Sequence, residues 1–263
     1  MRRASPRARA SDEGEAVRKR SERMNAPSPR RVVLGALGAG ALALGSNFLG
    51  LTERALDAAP TAARARRLDV LYPVGGYARC FRPERGYEFV VPKTWAVDQT
   101  MVRRNSMRDV ASLDPPSLAE AAVRNRRGAA AEPDAAYGPI GSNGEENVSV
   151  IASGVPRGFD LAVFGDAEAQ ASWLLANVLA KEGSGKTGEL VNASARRDGN
   201  ATYYTFEYTI RTSDWFRHNV AVFVTRGSTL YTFVAQVPET RWPEMREAFY
   251  FMADSFRVFA PSG

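Results

Sequence analysis

The sequence predicts an α+β domain, an antiparallel β-sheet of about six strands flanked by helices, with one long loop insertion and a disordered leader. Three observations lead there. Residues 215–242, WFRHNVAVFVTRGSTLYTFVAQVPETRW, hold two alternating arms around Arg226-Gly227-Ser228. Strand-like runs succeed one another through tight turns, which forces antiparallel pairing. Two segments carry apolar residues at helical spacing, and two helices must cover the sheet.

In the central hairpin Val220, Val222 and Val224 alternate with Asn219, Ala221 and Phe223. On the second arm Leu230, Thr232 and Val234 alternate with Tyr231, Phe233 and Ala235. Both faces are largely apolar, so this strand pair is expected to be covered on both sides. Gly227 is free to adopt the positive φ of the turn. Asp69 to Tyr77 reads as an extended lead-in punctuated by Pro73, Gly75 and Gly76. Residues 86–92, GYEFVVP, form a strand stopped by Pro92, and 96–103 a second. Residues 104–147 are an insert, with a short helix expected over 117–125; loops this long are functional or disordered.

Residues 148–155 form a short strand, and Asp166 is placed to cap the next helix. The stripe of that helix is Ala169, Trp173, Ala176, Leu179 and Ala180. The turn from Gly183 to Gly188 ends it. Strands at 189–197 and 201–212 are joined at Asp198-Gly199-Asn200, with Tyr204, Phe206, Tyr208 and Ile210 on one face. A second helix, 241–254, buries Trp242, Met245, Phe249 and Met252, and 255–260 is a closing strand.

The formal net charge is +6, but residues 1–67 carry 14 Lys/Arg against 6 Asp/Glu. The rest carries 21 against 23, so the basicity belongs to the leader and does not support nucleic-acid binding. Cys80 is the only cysteine, which excludes an internal disulfide and a cysteine metal cage. It is expected to be a partly buried, unreactive thiol.

Residues 1–29 are rich in Arg, Ser, Ala and Pro and fit an organelle transit peptide, although Asp12, Glu13, Glu15 and Glu22 depart from that composition. Arg30-Arg31 then leads into an uncharged run, Val32 to Leu51, as in a twin-arginine translocation signal. The alternative is a membrane anchor, since a span needs about 20 apolar residues. Gly35, Gly38, Gly40, Gly45 and Gly50 dilute the run and favour a signal. Cleavage is expected near Ala55–Ala65, where Ala63-Arg64-Ala65 has the small-x-small pattern. Two addresses in series imply a chloroplast thylakoid lumen, with the leader over 1–67 and the domain over 68–263. Export by a bacterial-type route is the alternative.

There is no GxGxxG or P-loop, no GxSxG elbow, no HExxH and no EF-hand spacing. His218 is the only histidine, and no serine is marked as its partner. No catalytic residue is assigned, and a non-enzymatic role is expected.

The segments Gly86-Tyr87-Glu88-Phe89-Val90-Val91-Pro92 with Trp95, Leu230 to Gln236 followed by Arg241-Trp242, and Asp254-Ser255-Phe256 together resemble the PsbP family. These are extrinsic lumenal proteins of photosystem II and their paralogues. The resemblance spans roughly residues 70–260 and implies an antiparallel sheet between helices. Asp98-Gln99-Thr100, Leu113-Asp114-Pro115-Pro116 and Tyr137-Gly138-Pro139 are more similar to the PsbP-domain paralogues, which serve as assembly or auxiliary factors. The lysine-rich docking N-terminus of PsbP has no counterpart here.

The resemblance implies a role at photosystem II in the oxygen-evolving complex: assembly, stabilisation, or Ca²⁺ or Mn²⁺ retention. The alternatives are an assembly factor for photosystem I or another thylakoid complex, and a lumenal ion-binding module. It also implies His218 and Glu239 as candidate ligands for a divalent cation, with a surface histidine and a helix-terminal glutamate as the plain alternative. Partner docking is expected at Arg79, Arg82 and Arg85 and, in the insert, at Arg124, Arg126 and Arg127, where a solvated loop end is the alternative.

Overall fold

The computed structural model describes residues 45–98, 133–142 and 144–262, together with Val33. The chain divides into two units, Met1–Ala59 and Pro60–Gly263. In the first, the described residues hold helix α1, Leu51–Asp57. Among the described residues, no helix is long and apolar enough to cross a membrane.

The second unit is α+β with wholly antiparallel sheets. It opens with helix α2, Pro60–Ala65, and a 3₁₀ turn, Leu68–Val70. Strands β1 (Tyr77–Arg82), β2 (Tyr87–Pro92) and β3 (Trp95–Val97) follow. Then come β4 (Ala135–Pro139), β5 (Asn147–Gly154) and helix α3 (Ala167–Leu174). Four long strands complete the large sheet: β6 (Thr187–Asp198), β7 (Ala201–Arg211), β8 (Phe216–Arg226) and β9 (Thr229–Pro238). Helix α4 (Trp242–Ser255) and β10 (Arg257–Val258) close the chain.

There are two sheets where one of about six strands was expected. Seven strands run in the order β3-β4-β5-β9-β8-β7-β6, and three in the order β1-β2-β10. The β6–β7 and β8–β9 turns fall at the expected places, with Gly199 at φ 58° and Gly227 at φ 60°. The centre of the large sheet, at β7 and β8, is buried on both faces, as the doubly apolar hairpin suggests, while the edge strand β6 is largely exposed. One face carries Tyr203, Val220, Val222, Val224, Tyr231 and Phe233 against Tyr87, Phe89, Phe249 and Phe256 from the small sheet and the α4 region. The other carries Tyr204, Phe206, Tyr208, Ile210 and Ala221 against Ala171 and Leu175 of the α3 region. Full burial of one such large side chain is worth ~1.5–3 kcal/mol relative to exposure.

Asp166 caps α3 as expected, its Oδ1 accepting the Ala169 N–H at 2.9 Å. The expected stripe is displaced: Trp173 is exposed, while Gln170, Ala171 and Leu175 are buried. Residues 175–179 widen into a π-helical turn, which breaks the 3.6-residue period. The lead-in is not simply extended. Gly75 and Gly76, at φ 61° and 79°, reverse the chain between Val74 and Tyr77. Of the expected insert, residues 135–139 form β4, paired to β3 and β5. The helix expected over 117–125 lies outside the described residues.

Candidate functional site

His218 faces the α4 side of the large sheet. It pairs across β7 with Thr209 and across β9 with Val237. Glu207, two residues from Thr209, is therefore its diagonal neighbour on the same face. Glu239, two residues beyond Val237, takes the matching place on the other side, where β9 runs into the 3₁₀ turn Glu239–Arg241. The strand period of two alone thus aims both carboxylates at the imidazole.

The ring Nδ1 lies 2.8 Å from Glu239 Oε2, and Nε2 lies 2.9 Å from Glu207 Oε1. His218 and Glu207 are buried, at 3% and 5% exposure. Trp242, the first residue of α4, stacks on the imidazole at 3.7 Å and 7°. Tyr250, two turns further along α4, donates its hydroxyl to Glu207 Oε2. Burial and this bond to a carboxylate both hold the Tyr250 phenol above its usual range, so it stays a donor. Glu239–His218–Glu207–Tyr250 is thus one hydrogen-bonded chain tying β7, β8, the end of β9 and α4.

Two acceptors on one imidazole require a proton on each nitrogen–carboxylate axis. Each ring nitrogen thus shares a proton with its own carboxylate, and the Trp242 ring lies stacked on the imidazole. Among the described residues, the two ring nitrogens bond Glu239 and Glu207.

The structure brings His218 and Glu239 together, yet the donor set does not fit a metal. The lone pairs of the two ring nitrogens diverge, and each already meets a different carboxylate. A cation at Nδ1 would gain only Glu239, and one at Nε2 only Glu207. A bound cation needs a larger convergent set, normally with the second ring nitrogen donating outward. Among the described residues, no group of three His, Cys, Asp or Glu side chains could hold a metal ion. The alternative of a surface histidine is overturned as well, since the ring is enclosed.

The arginines separate. Arg79 is not at a docking surface: its guanidinium is buried, with Nε 2.8 Å from Asp69 Oδ1 and Nη1 3.2 Å from Glu88 Oε1. Two buried carboxylates require it there. The segment 77–82, where partner docking was expected at Arg79 and Arg82, is strand β1. Arg85 is exposed and Arg82 half-buried, with 58% and 40% of their side-chain surface open. Arg85 Nε bonds Asp134 Oδ1 at 2.7 Å, and Asp134 Oδ2 also accepts the Tyr87 hydroxyl at 2.9 Å. Arg124, Arg126 and Arg127, like Arg30 and Arg31, lie outside the described residues. Cys80 is buried, and burial pushes its thiol upward.

Sequence reasoning missed Glu207, Asp69 and Glu88. Their signal was a lone acid inside an otherwise apolar or aromatic run, such as Glu207 between Phe206 and Tyr208.

Comparison with known proteins agrees with this architecture. The family model described as PsbP matches residues 76–258. The chain is 38% identical over 239 residues to PsbP domain-containing protein 7, chloroplastic, of Arabidopsis thaliana, covering 88% of this chain and 83% of that one. It is 30% identical to CyanoP of Thermosynechococcus vestitus over 43% of this chain and 65% of the relative. The solution structure of CyanoP from Synechocystis sp. PCC 6803 superposes with a TM-score of 0.50 at 26% identity, covering 71% of this chain and 94% of that chain. With a family match over most of its folded unit and a relative aligned along nearly its whole length, the chain belongs to the PsbP family.

Proposed function

We propose that this protein is a non-enzymatic extrinsic protein of the thylakoid lumen that docks on photosystem II and helps assemble or stabilise its lumenal side. The observation that carries the reading is the 38% identity to a chloroplastic PsbP-domain protein across 88% of the chain. The leader supports it, since an Arg/Ser-rich segment followed by Arg30-Arg31 and an uncharged run suits import and then translocation. Docking uses the half-buried Arg82 and the exposed Arg85 beside the β1–β2 turn, with Arg124, Arg126 and Arg127 in the insert. Positive side chains on a domain otherwise near neutral favour an acidic lumenal partner surface.

The His218 chain supports a positioning role over ion delivery, because it fastens α4 to the sheet and leaves no ring nitrogen free. The test is co-migration. Tagged protein from solubilised thylakoids should run with photosystem II on native gels and lose that association in an Arg82→Glu/Arg85→Glu variant. Fractionation wholly away from thylakoids would refute the proposal. Co-migration with photosystem I or another thylakoid complex would reassign the partner and keep the lumenal role.

A further inference from the structure

The small-residue cluster at 55–65 straddles the start of the folded domain, and the two halves of that cluster differ. The second half is built into the fold. Ala63 is 4% exposed. Arg64 Nη2 donates to the Val74 carbonyl at 3.0 Å, and its guanidinium lies 4.9 Å over the Phe251 ring of α4. The Arg64 carbonyl accepts from Arg79 Nη2 at 3.4 Å. Arg67 Nε meets Glu88 Oε2 at 2.7 Å, and its guanidinium lies over Phe81 and Phe259. Asp69, 1% exposed, receives Arg79 in a two-pronged contact at 2.8 and 2.9 Å. Residues 60–70 thus strap β1, β2 and α4 from outside: Arg67 and Arg79 share Glu88, and Arg79 also holds Asp69 and the Arg64 carbonyl.

We infer that residues 60–70 are an integral strap of the mature domain and that the leader is cut N-terminal to Pro60, not at Ala63-Arg64-Ala65. A peptidase must draw the residues around its bond into an extended, exposed conformation. Ala63 would be the −3 residue of the Ala63-Arg64-Ala65 site, and it sits enclosed in helix α2. Twin-arginine cargo crosses folded, so this segment is already packed when the peptidase meets it. A cut after Ala65 would also remove the carbonyl that receives Arg79 and the Arg64 side chain on Phe251. It would leave a new ammonium at Arg66, adjoining Arg67. Upstream, Ala41-Leu42-Ala43 and Ala43-Leu44-Gly45 have the small-x-small pattern. They end an apolar stretch that begins at Val32, a length that suits the core of a secretory signal.

The inference deepens the lumenal reading proposed above and rests on its translocated leader. The test is the N-terminus of the mature protein, purified through a C-terminal tag from thylakoids and read by intact mass and N-terminal sequencing. A start at Pro60 or earlier is expected, with Leu44 or Ser46 favoured. A start at Thr61 or any later residue overturns the inference. A second measurement compares chains beginning at Pro60 and at Arg66. The shorter should unfold at a midpoint at least several degrees lower, and equal midpoints would overturn the strap. An Arg30→Lys/Arg31→Lys precursor separates the two readings. If it is still translocated and processed, the twin-arginine assignment falls, while the mature N-terminus continues to decide the strap.

Discussion

Replacing Glu207 by alanine tests the buried histidine chain most sharply. Glu207 and His218 expose only 6% and 4% of their side chains. Removing the carboxylate leaves the imidazole Nε2 and the Tyr250 hydroxyl without their acceptor. Breaking a buried ion pair by deleting one partner costs ~3–5 kcal/mol. For a folded unit of this size each kcal/mol moves the thermal midpoint ~2–4 °C, so Glu207→Ala should lower it by ~6–20 °C. The control is Glu239→Ala. That carboxylate is 30% exposed, so water can replace it on Nδ1, and the cost should stay near ~1 kcal/mol. Calorimetry and urea titration of the purified domain read both values. Equal costs for the two variants, or a Glu207→Ala loss under ~1 kcal/mol, would refute the picture of an imidazole held between one buried and one part-exposed carboxylate. Adding Ca²⁺ or Mn²⁺ to the parent separates structure from ligation. A cation bound at 100 times its dissociation constant would add ~2.7 kcal/mol, whereas the geometry predicts no shift.

Further outcomes follow from the other buried groups. Arg79→Ala should destabilise by ~3–5 kcal/mol, because it strands Asp69 and Glu88 inside the domain, while exposed Arg85→Ala should cost no more than ~1 kcal/mol. Denaturant titrations that rank the two in the opposite order would contradict the placement of β1. Gly86→Ala should cost ~1–3 kcal/mol, since Gly86 has φ +77° and an added Cβ would lie 2.6 Å from the Phe259 carbonyl. Burial raises both the Cys80 thiol and the Tyr87 phenol. Groups raised in the fold keep their contribution below their unfolded values and lose it as pH climbs above them, so stability should fall from about pH 9 upward. A Tyr87→Phe variant should show the shallower alkaline decline in melting temperature. Native Cys80 should resist alkylation at pH 8 and react after unfolding.

What was legible in the sequence was mainly what depends on periodicity and turns. The face shared by Tyr204, Phe206, Tyr208 and Ile210, the Gly199 and Gly227 turns and the Asp166 cap are local features, and they stand where the pattern puts them. Strand β1 was not legible, because Arg79 and Arg82 interrupt any apolar alternation in YARCFR. It is a strand because β2 pairs with it and because Asp69 and Glu88 neutralise Arg79. Strand β10 is only two residues long and is fixed by its pairing to β2. The α3 stripe failed in phase: Ala167, Ala171, Leu174 and Leu175 keep the helical period and face the sheet, while Ala169 and Trp173 lie on the opposite side, and the π-helical turn begins only at Leu175. The carboxylate partners failed for one shared reason. His218 lies 11 and 21 residues from Glu207 and Glu239, so the contacts exist only once the hairpins close.

That distance also explains what the polar chain does for the fold. Strand β8 is largely apolar on both faces, and on β7 the α4-side residues Thr205 and Thr209 are small and only weakly polar, so sliding one strand past the other by a residue would meet little resistance from apolar burial alone. Alternation alone therefore specifies their register weakly. Glu207 and His218 remove the ambiguity. A one-residue slip of β7 would turn Glu207 to the α3 side, against Ala171 and Leu175, send Phe206, Tyr208 and Ile210 to the other face, and leave His218 without Glu207. Glu239 does the same for β9, and Tyr250 extends the constraint to α4. A buried ion pair is weak evidence for net stability and better evidence for a choice among near-equal packings. Replacing Glu207, His218 and Glu239 together by apolar residues separates the two roles. The triple variant should recover much of the stability that Glu207→Ala loses. It should also broaden the amide spectra of β7 and β8, the signature of more than one register.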